Sequence, residues 1–306
     1  MRAVRFHNFG GPEVLRVEEA PLPVPAAGQV LIRVAGTSYN PGDALIRSGV
    51  IPGAETIRLP HIPSVDVAGT IVEVGAGVRG NAVGDQVIAY QSAYEDGGAA
   101  EFVAIDANMI APAPTSIPLS DGAALPVVGL TAWQAVHEHL GVRSGQKILI
   151  NGAGGGVGRL AVQLAKAAGA TVIATAGPAS VAAARSAGAD EVIDYTVDRP
   201  TGPVDAVFNT APVAERLLRP LVALIRPGGS LVSITSSPPV DPARQVRTTV
   251  MVVRRDAAQL AELAHLVDSG VITVGITERL PITETAAVHH RAAAGKLPGK
   301  IVLTAA

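Results

Sequence analysis

GQKILINGAGGGVGRLAVQLAKAAGATVIATAG, residues 145–177, decides how this chain folds. Residues 147–150 (Lys-Ile-Leu-Ile) form a short apolar run that predicts a buried strand. A glycine cluster follows, and then Val157, Leu160, Ala161, Leu164, Ala165 and Ala168 recur at helical spacing. Gly169 ends that helix, and residues 171–175 are a second, β-branched strand. Strand, tight turn, helix and strand make the unit that lays a pyrophosphate on a helix N-terminus. There the unpaired N–H groups and the helix dipole favour anionic oxygens. Gly155 lets the backbone approach the phosphates and Gly158 lets helix and strand pack closely. The first glycine of the usual G-x-G-x-x-G is Ala153 here. Ala153, Gly154, Gly155, Gly156 and Val157 are therefore the expected cradle for a dinucleotide.

An NAD site usually places Asp or Glu at the end of the second strand, about 20 residues on, to bind the ribose hydroxyls. Thr175-Ala176-Gly177 holds that place, and no acid follows until Asp190. Without a carboxylate to repel a 2′-phosphate, NADP(H) is the expected cofactor. Thr175, Ser180, Arg185, Tyr195 and Lys296 are the candidate contacts, together with Val252 from a later apolar run.

The 306 residues are enough for two domains. Hydrophobic residues make up 48% and charged residues 16%, which supports a buried core and argues against disorder. A net charge of −2 offers no basic field for nucleic acid and no polybasic patch for a membrane surface. With no cysteine there is no disulfide, no thiolate metal site and no cysteine nucleophile. The opening MRAVRFHNFGG has no apolar signal core, and no apolar run approaches the roughly 20 residues that span a bilayer. A cytoplasmic, soluble protein is expected.

The first ~120 residues are rich in Pro and Gly, with short β-rich runs at 30–34, 69–74, 86–89 and 102–104, the texture of an antiparallel β domain. From Asp121 helix and strand alternate: helix 130–139, strand 147–150, helix 157–168, strand 171–175, helix 180–187, strands 191–193 and 204–208, helix 213–225, strand 230–234. That alternation argues a doubly wound parallel sheet. A helix at 257–269 precedes a last strand at 300–303 that returns to the first domain. The expected α/β architecture is a β-rich domain of residues 1–120 plus 265–306 and a Rossmann domain of residues 121–264.

The segments FGGPEVLRVEEAPLPVPAAGQVLIRV, NPGDALIRSG, PSVDVAGTIVEVGAGV, VGDQV, GAALPVVGLTAW, GADEVIDY, IRPGGSLVSI and GKLPGKIVL, with the Gly-rich unit among them, cover nearly the whole chain. In their order and spacing they resemble the medium-chain dehydrogenase/reductases, and within them the zinc-free quinone oxidoreductases related to zeta-crystallin. The resemblance implies a GroES-like catalytic domain and a Rossmann domain with the active cleft between them. Zinc alcohol dehydrogenases of this superfamily hold their catalytic metal through Cys, His and Cys. The matching places here are Asn40, Val65 and Val127, and G-H-E-x-x-G reads Ser64-Val65-Asp66-Val67-Ala68-Gly69. One amide and two aliphatic groups do not make a zinc site. His137 and His139 fall on different sides of a helix, His289-His290 reads as a polar helix face, and no metal is expected.

A simple ketone needs a Lewis acid to carry alkoxide charge. A quinone or an α,β-unsaturated carbonyl is electron-poor enough to take hydride with only hydrogen bonds to the developing oxyanion. Asn40 is the first candidate to supply one, although Asn-Pro-Gly-Asp is also a strong turn sequence. Asp43 orders that loop or the nicotinamide pocket. Thr131, in Gly129-Leu130-Thr131, approaches the nicotinamide by the resemblance, or starts a helix. Tyr39 is a weaker proton donor because neighbours on a strand point to opposite faces. Asp66, in place of a glutamate, braces backbone amides. Aromatic residues are only 3% of the chain, so the acceptor pocket is expected to be lined by Val, Leu and Ile. The expected activity is NADPH-dependent, zinc-independent quinone reduction. Reduction of an enoyl or alkenal C=C bond and a non-catalytic NADPH-binding role are the alternatives. The run Thr248-Thr249-Val250-Met251-Val252-Val253 is read as an exposed edge strand that pairs two copies into a homodimer, or else as an interior strand.

Overall fold

The apolar runs become strands, and the strands gather into two units. The computed structural model describes residues 1–297 and 299–305. One unit comprises Met1–Val127, Arg255–Gly270 and Val274–Ala306; the other comprises Val128–Arg254 and Val271–Thr273. The divisions fall at 127 and 255, where the sequence reading places them at 120 and 265. The turn Leu119–Ala124 packs on the strands of the first unit, which carries the first boundary later. The helix Ala257–Asp268 packs on the same unit, and its Asp268 carboxylate accepts from Thr115 and Ser116 backbone N–H at 2.8 Å, which draws the second boundary earlier.

In the first unit a hairpin of β1 (Arg2–Arg5) and β2 (Arg16–Glu19) precedes β3 (Gln29–Ser38), the helix α1 (Pro41–Ser48) and β4 (Asp66–Val74). Then come β5 (Gln86–Tyr90), β6 (Phe102–Asp106) and β7 (Ile110–Pro112). β3 is the spine. One of its edges pairs with β4, and the other is shared by β6 over 29–33 and by a late strand over 36–38. Val30, Ile32, Val67, Ile71, Val87 and Ile105 point inward from these strands and form one core.

The second unit opens with α2 (Pro126–Trp133), which begins just before the boundary and continues as a wider-wound π stretch, Gln134–His139. Then follow β8 (Lys147–Asn151), α3 (Gly156–Ala167), β9 (Thr171–Ala176), α4 (Val181–Ser186), β10 (Glu191–Asp194), β11 (Val204–Asn209), α5 (Glu215–Ala223), β12 (Ile225–Ser233) and β13 (Arg247–Val250). The six strands make one parallel sheet in the order β10-β9-β8-β11-β12-β13. Strand order reverses between β8 and β11, the position where such sheets bind ligands beyond their carboxyl ends. Leu149, Ile150, Val207 and Phe208 are fully buried, as central parallel strands covered on both faces require. β13 is an edge strand, so the interior alternative for residues 248–253 is excluded, and the strand itself stops at Val250.

The first unit is completed by α6 (Ala257–Asp268), β14 (Ile276–Pro281), α7 (Thr285–Ala293) and β15 (Lys300–Thr304); β15 pairs antiparallel with β3, as the returning tail strand anticipates.

The glycine turn differs from the sequence reading by one residue. Gly152 takes φ 90°, a conformation that side chains disfavour, so it is the turn glycine and the buried Ala153 needs no glycine's freedom. A Cβ on Gly158 would lie 2.4 Å from Gly152 O and 2.7 Å from Ala153 Cα, while one on Gly155 would meet nothing nearer than Gly152 O at 3.8 Å. Gly158→Ala is therefore expected to destabilise the chain by about 1–3 kcal/mol through overpacking. Gly155→Ala should stay within about 0.5 kcal/mol of the parent, as a change into open space does. Denaturant melts of the two variants check the contrast.

Candidate active site and cofactor cradle

Five polar side chains from distant parts of the sequence meet inside the first unit. β3 ends at Ser38, and the chain turns at Asn40 (φ −127°, ψ 151°) into α1, with Pro41 in the first turn. Asp43 Oδ2 accepts from the Asn40 backbone N–H at 2.7 Å, and Oδ1 from Val65 N–H at 3.2 Å. Asp66, the first residue of β4, is more heavily engaged. Its Oδ2 accepts from Ser38 Oγ at 2.5 Å, Asn40 Nδ2 at 2.8 Å and Lys300 Nζ at 3.1 Å, and its Oδ1 from Val127 N–H at 2.8 Å. Lys300 Nζ also donates to Asn40 Oδ1 at 2.7 Å and to the Tyr39 carbonyl at 3.4 Å. Ser38, Asp43 and Asp66 are at most 1% exposed, and Asn40 and Lys300 are 4% and 6% exposed. Charges buried this deeply persist only when paired and hydrogen-bonded.

Burial lifts the Asp43 carboxyl to about 7. The Asn40 backbone N–H and the Lys300 charge oppose the rise, and the Asp66 charge adds to it. Tyr90 lies opposite Asp66 in register, and burial together with Asp66 and Asp43 pushes its phenol up to about 12. Tyr39, beside Asn40 in sequence, directs its ring away from the cluster and onto His289, edge to face with centroids 4.9 Å apart. Burial raises its phenol to about 12 as well, so it is a poor proton donor at neutral pH.

Positions 40, 65 and 127 converge on this cluster. Asn40 belongs to it, and the backbone N–H groups of Val65 and Val127 hold its two carboxylates, while their side chains pack with Ile57, Ile62 and Ala99. Ser64, where the G-H-E pattern has glycine, sits at φ 75°, and its buried hydroxyl finds no partner among the described residues. The reading of His289-His290 as a polar face holds only for His290. His289 is buried; its Nδ1 is 2.8 Å from Arg47 Nη1, and burial and that guanidinium hold its pKa down near 3. His137 stacks on Trp133 with centroids 4.4 Å apart. No group of three or more metal-ligating side chains occurs among the described residues.

In the second unit, the first turn of α3 presents N–H groups without intrahelical acceptors, and Gly155 leaves open space in front of them. A row of polar side chains braces the turn from below, and of its members sequence reasoning named Thr175 but missed Asn151, Asn209 and Ser233. Thr175 Oγ1 donates to Asn151 Oδ1 at 2.6 Å and accepts from Gly152 N–H at 3.1 Å; Asn151 Nδ2 donates to Asn209 Oδ1 at 2.7 Å; Asn209 Nδ2 donates to Ser233 Oγ at 3.1 Å. These residues sit at the carboxyl tips of β9, β8, β11 and β12, a periodicity visible only once the strands are aligned. The Thr175 hydroxyl thus has its hydrogen and one lone pair engaged within the protein. Ser180 abuts Gly154, where a Cβ would come within 2.5 Å of the Ser180 Cβ, and Tyr195 Oη stands 3.0 Å from the Cβ position of Gly177. Arg185 is exposed in the last turn of α4, and Arg199, missed by sequence reasoning, donates to the Tyr195 carbonyl. Asp190 lies at the other end of the sheet, paired with Lys166 Nζ at 2.8 Å. Asp194, beside Ala176 in register, accepts from Thr196 N–H at 2.9 Å and Oγ1 at 2.7 Å. Thr131 is buried on α2 in this unit. Val252 is 88% exposed beyond β13, and Lys296 is exposed after α7 in the first unit. Among the described residues no helix is long and apolar enough to cross a membrane.

Comparisons with known proteins match this geometry. An alcohol dehydrogenase GroES-like domain model matches residues 26–115, and a zinc-binding dehydrogenase model matches residues 187–303. A chloroplast envelope quinone oxidoreductase homolog of Arabidopsis thaliana is 33% identical, over 99% of this chain and 98% of its own. A 2-methylene-furan-3-one reductase of Solanum lycopersicum is 30% identical over 99% of this chain and 79% of its own. The crystal structure of Escherichia coli quinone oxidoreductase complexed with NADPH superposes with a TM-score of 0.87 at 25% identity, covering 99% of this chain and all of that one. Fold, glycine cradle and near full-length similarity agree: the chain belongs to the quinone oxidoreductase family of the medium-chain dehydrogenase/reductases and is a nicotinamide-dependent oxidoreductase.

Proposed function

We propose that this chain is an NADPH-dependent reductase of quinones that works without zinc. The observation that carries the reading is the cluster at positions 40, 65 and 127. Two of the three side chains are aliphatic, and the neighbouring carboxylates are saturated by backbone N–H groups, an amide, a hydroxyl and an ammonium group. That donor set does not fit Zn²⁺, which takes thiolate, imidazole or carboxylate ligands. When bound, the cofactor supplies a hydride from its nicotinamide to a conjugated, electron-poor acceptor. Asn40 donates a hydrogen bond to the acceptor oxygen as charge develops there, and Asp43 holds Asn40 in place through its backbone N–H. Thr131 borders the nicotinamide. Residues 153–157 take the pyrophosphate on the N-terminus of α3, with Thr175 holding the turn behind it. Ser180, Tyr195 and Arg185 are the residues this reading assigns to the 2′-phosphate. Asp190 does not oppose that phosphate, since it is at the far end of the sheet and paired with Lys166.

A conjugated enone satisfies the same hydrogen bond and the same aliphatic surroundings. The tomato relative's name keeps C=C reduction as the second reading. NADPH oxidation should be fast with simple quinones, slower with enones, and unchanged in strong chelator. Loss of turnover on chelation, with one zinc per chain by elemental analysis, would sink the zinc-free reading.

NADPH is expected to bind at least about tenfold more tightly than NADH, the scale of one charge-assisted contact. Titration of nicotinamide fluorescence measures both, and equal affinities would refute the NADP assignment. In the same titration Gly155→Val should abolish binding of both while leaving the melting curve near that of the parent, since its side chain would fill only the open space kept for phosphate.

The free edge of β13, with Val250 47% and Val252 88% exposed, pairs with its copy in a homodimer in this reading. Light scattering at micromolar concentration should give twice the chain's 31.0 kDa, and Val250→Lys should halve it with cofactor binding retained. A parent mass of one chain would reject the dimer.

A further inference from the structure

Counting donors in the buried cluster leaves one unspent. Lys300 Nζ has three, directed at Asn40 Oδ1, Asp66 Oδ2 and the Tyr39 carbonyl. The Ser38 hydroxyl is given to Asp66 Oδ2, and the Thr37 hydroxyl to the Asp66 carbonyl at 2.5 Å. The Asn40 backbone N–H is given to Asp43. Asn40 Nδ2 carries two hydrogens, and one goes to Asp66. Its second hydrogen is the donor left over among these side chains.

A carboxamide can turn its oxygen and nitrogen end for end, and only its partners decide which way it sits. Here one partner accepts and the other only donates. Asp66 takes Nδ2, and Lys300, which has no acceptor, takes Oδ1. We propose that Lys300 is a positioning residue: from β15 it fixes the Asn40 carboxamide so that the free N–H of Nδ2 is presented to the carbonyl oxygen of the acceptor. The inference rests on the reading of Asn40 given above. Lys300 lies 260 residues from Asn40 in sequence and places a fixed positive charge next to Asn40 and Asp66. Asp43 is within reach of the same charge, which lowers its carboxyl against the burial that raises it.

The test uses the full chain, ¹⁵N-labelled, with the side-chain amide pair of Asn40 identified by its absence in Asn40→Ala. In the parent, the two Asn40 N–H signals should be distinct, and one of them should exchange slowly with solvent. Lys300→Met should merge or shift the pair and speed the slow exchange by about tenfold or more, as expected for a lost charge-assisted hydrogen bond. With NADPH and 1,4-benzoquinone, kcat/KM should fall about 10²-fold, the scale of one oxyanion donor. The fall should lie in kcat, with the dissociation constant for NADPH within about twofold of the parent. Lys300→Arg, which restores a cation that donates, should recover at least about tenfold of that loss. Should Lys300→Met not fold because Asp66 is left unpaired, the double change Asp66→Asn with Lys300→Met removes both charges and is measured instead. Unmoved Asn40 signals, or a folded variant whose kcat/KM stays within about threefold of the parent, would overturn the proposal. If the parent itself reduces neither quinones nor enones, the functional reading fails, and the role of Lys300 stands or falls on the amide signals alone.

Discussion

A buried carboxylate has to be matched in charge and in hydrogen bonds, and Asp66 imposes that demand on the whole first unit. Its four donors come from the end of β3, the start of α1, the start of α2 and the start of β15. Removing any of them leaves part of an ion without compensation in a low-dielectric interior, which costs several kcal/mol in systems where it has been measured. The site is consequently rigid because it is buried and saturated. In the reading proposed above, that rigidity is preorganisation: a donor aimed before the substrate arrives need not reorganise when charge develops.

The second unit solves the opposite problem. Its sheet must leave backbone N–H groups unsatisfied at the tip of α3 and still keep the turn beneath them from collapsing. The row Thr175, Asn151, Asn209 and Ser233 ties four neighbouring strand ends together with side-chain hydrogen bonds, and Thr210 Oγ1 adds one to the Gly152 carbonyl at 2.9 Å. Polar residues at these tips are spent on holding a shape, and the outer surface of the turn is left to backbone and to glycines.

Much of this was legible beforehand because it depends on local pattern. Apolar runs gave β3, β4, β8 and β9 to within a few residues, helical spacing gave α3 and α6, and the glycine run located the turn that opens α3. What escaped depends on partners far away in sequence. Lys300 looks like the start of an ordinary strand until β15 is laid against β3, and only then does its side chain reach Asn40 and Asp66. His289 looks like half of a polar pair until α7 turns it toward Arg47. The bonds of Thr175 to Asn151 and Gly152 are hidden until β8 and β9 are aligned. The turn glycine was displaced by one residue because the motif fixes spacings, whereas φ 90° at Gly152 is fixed by the strand it follows.

The pairing of β15 with residues 36–38 of β3 has a consequence for how the molecule is made. Lys300 and Asn40 are 260 residues apart, and the entire second unit lies between them in the chain. At a synthesis rate of roughly 5–20 residues per second, β3 emerges some 10–50 s before the strand that completes its edge. The nucleotide-binding sheet, by contrast, has all six of its strands once residue 250 has been added. The unit begun first on the ribosome is therefore the last to close, and until it does, the end of β3 and the carboxylate of Asp66 wait without their partner.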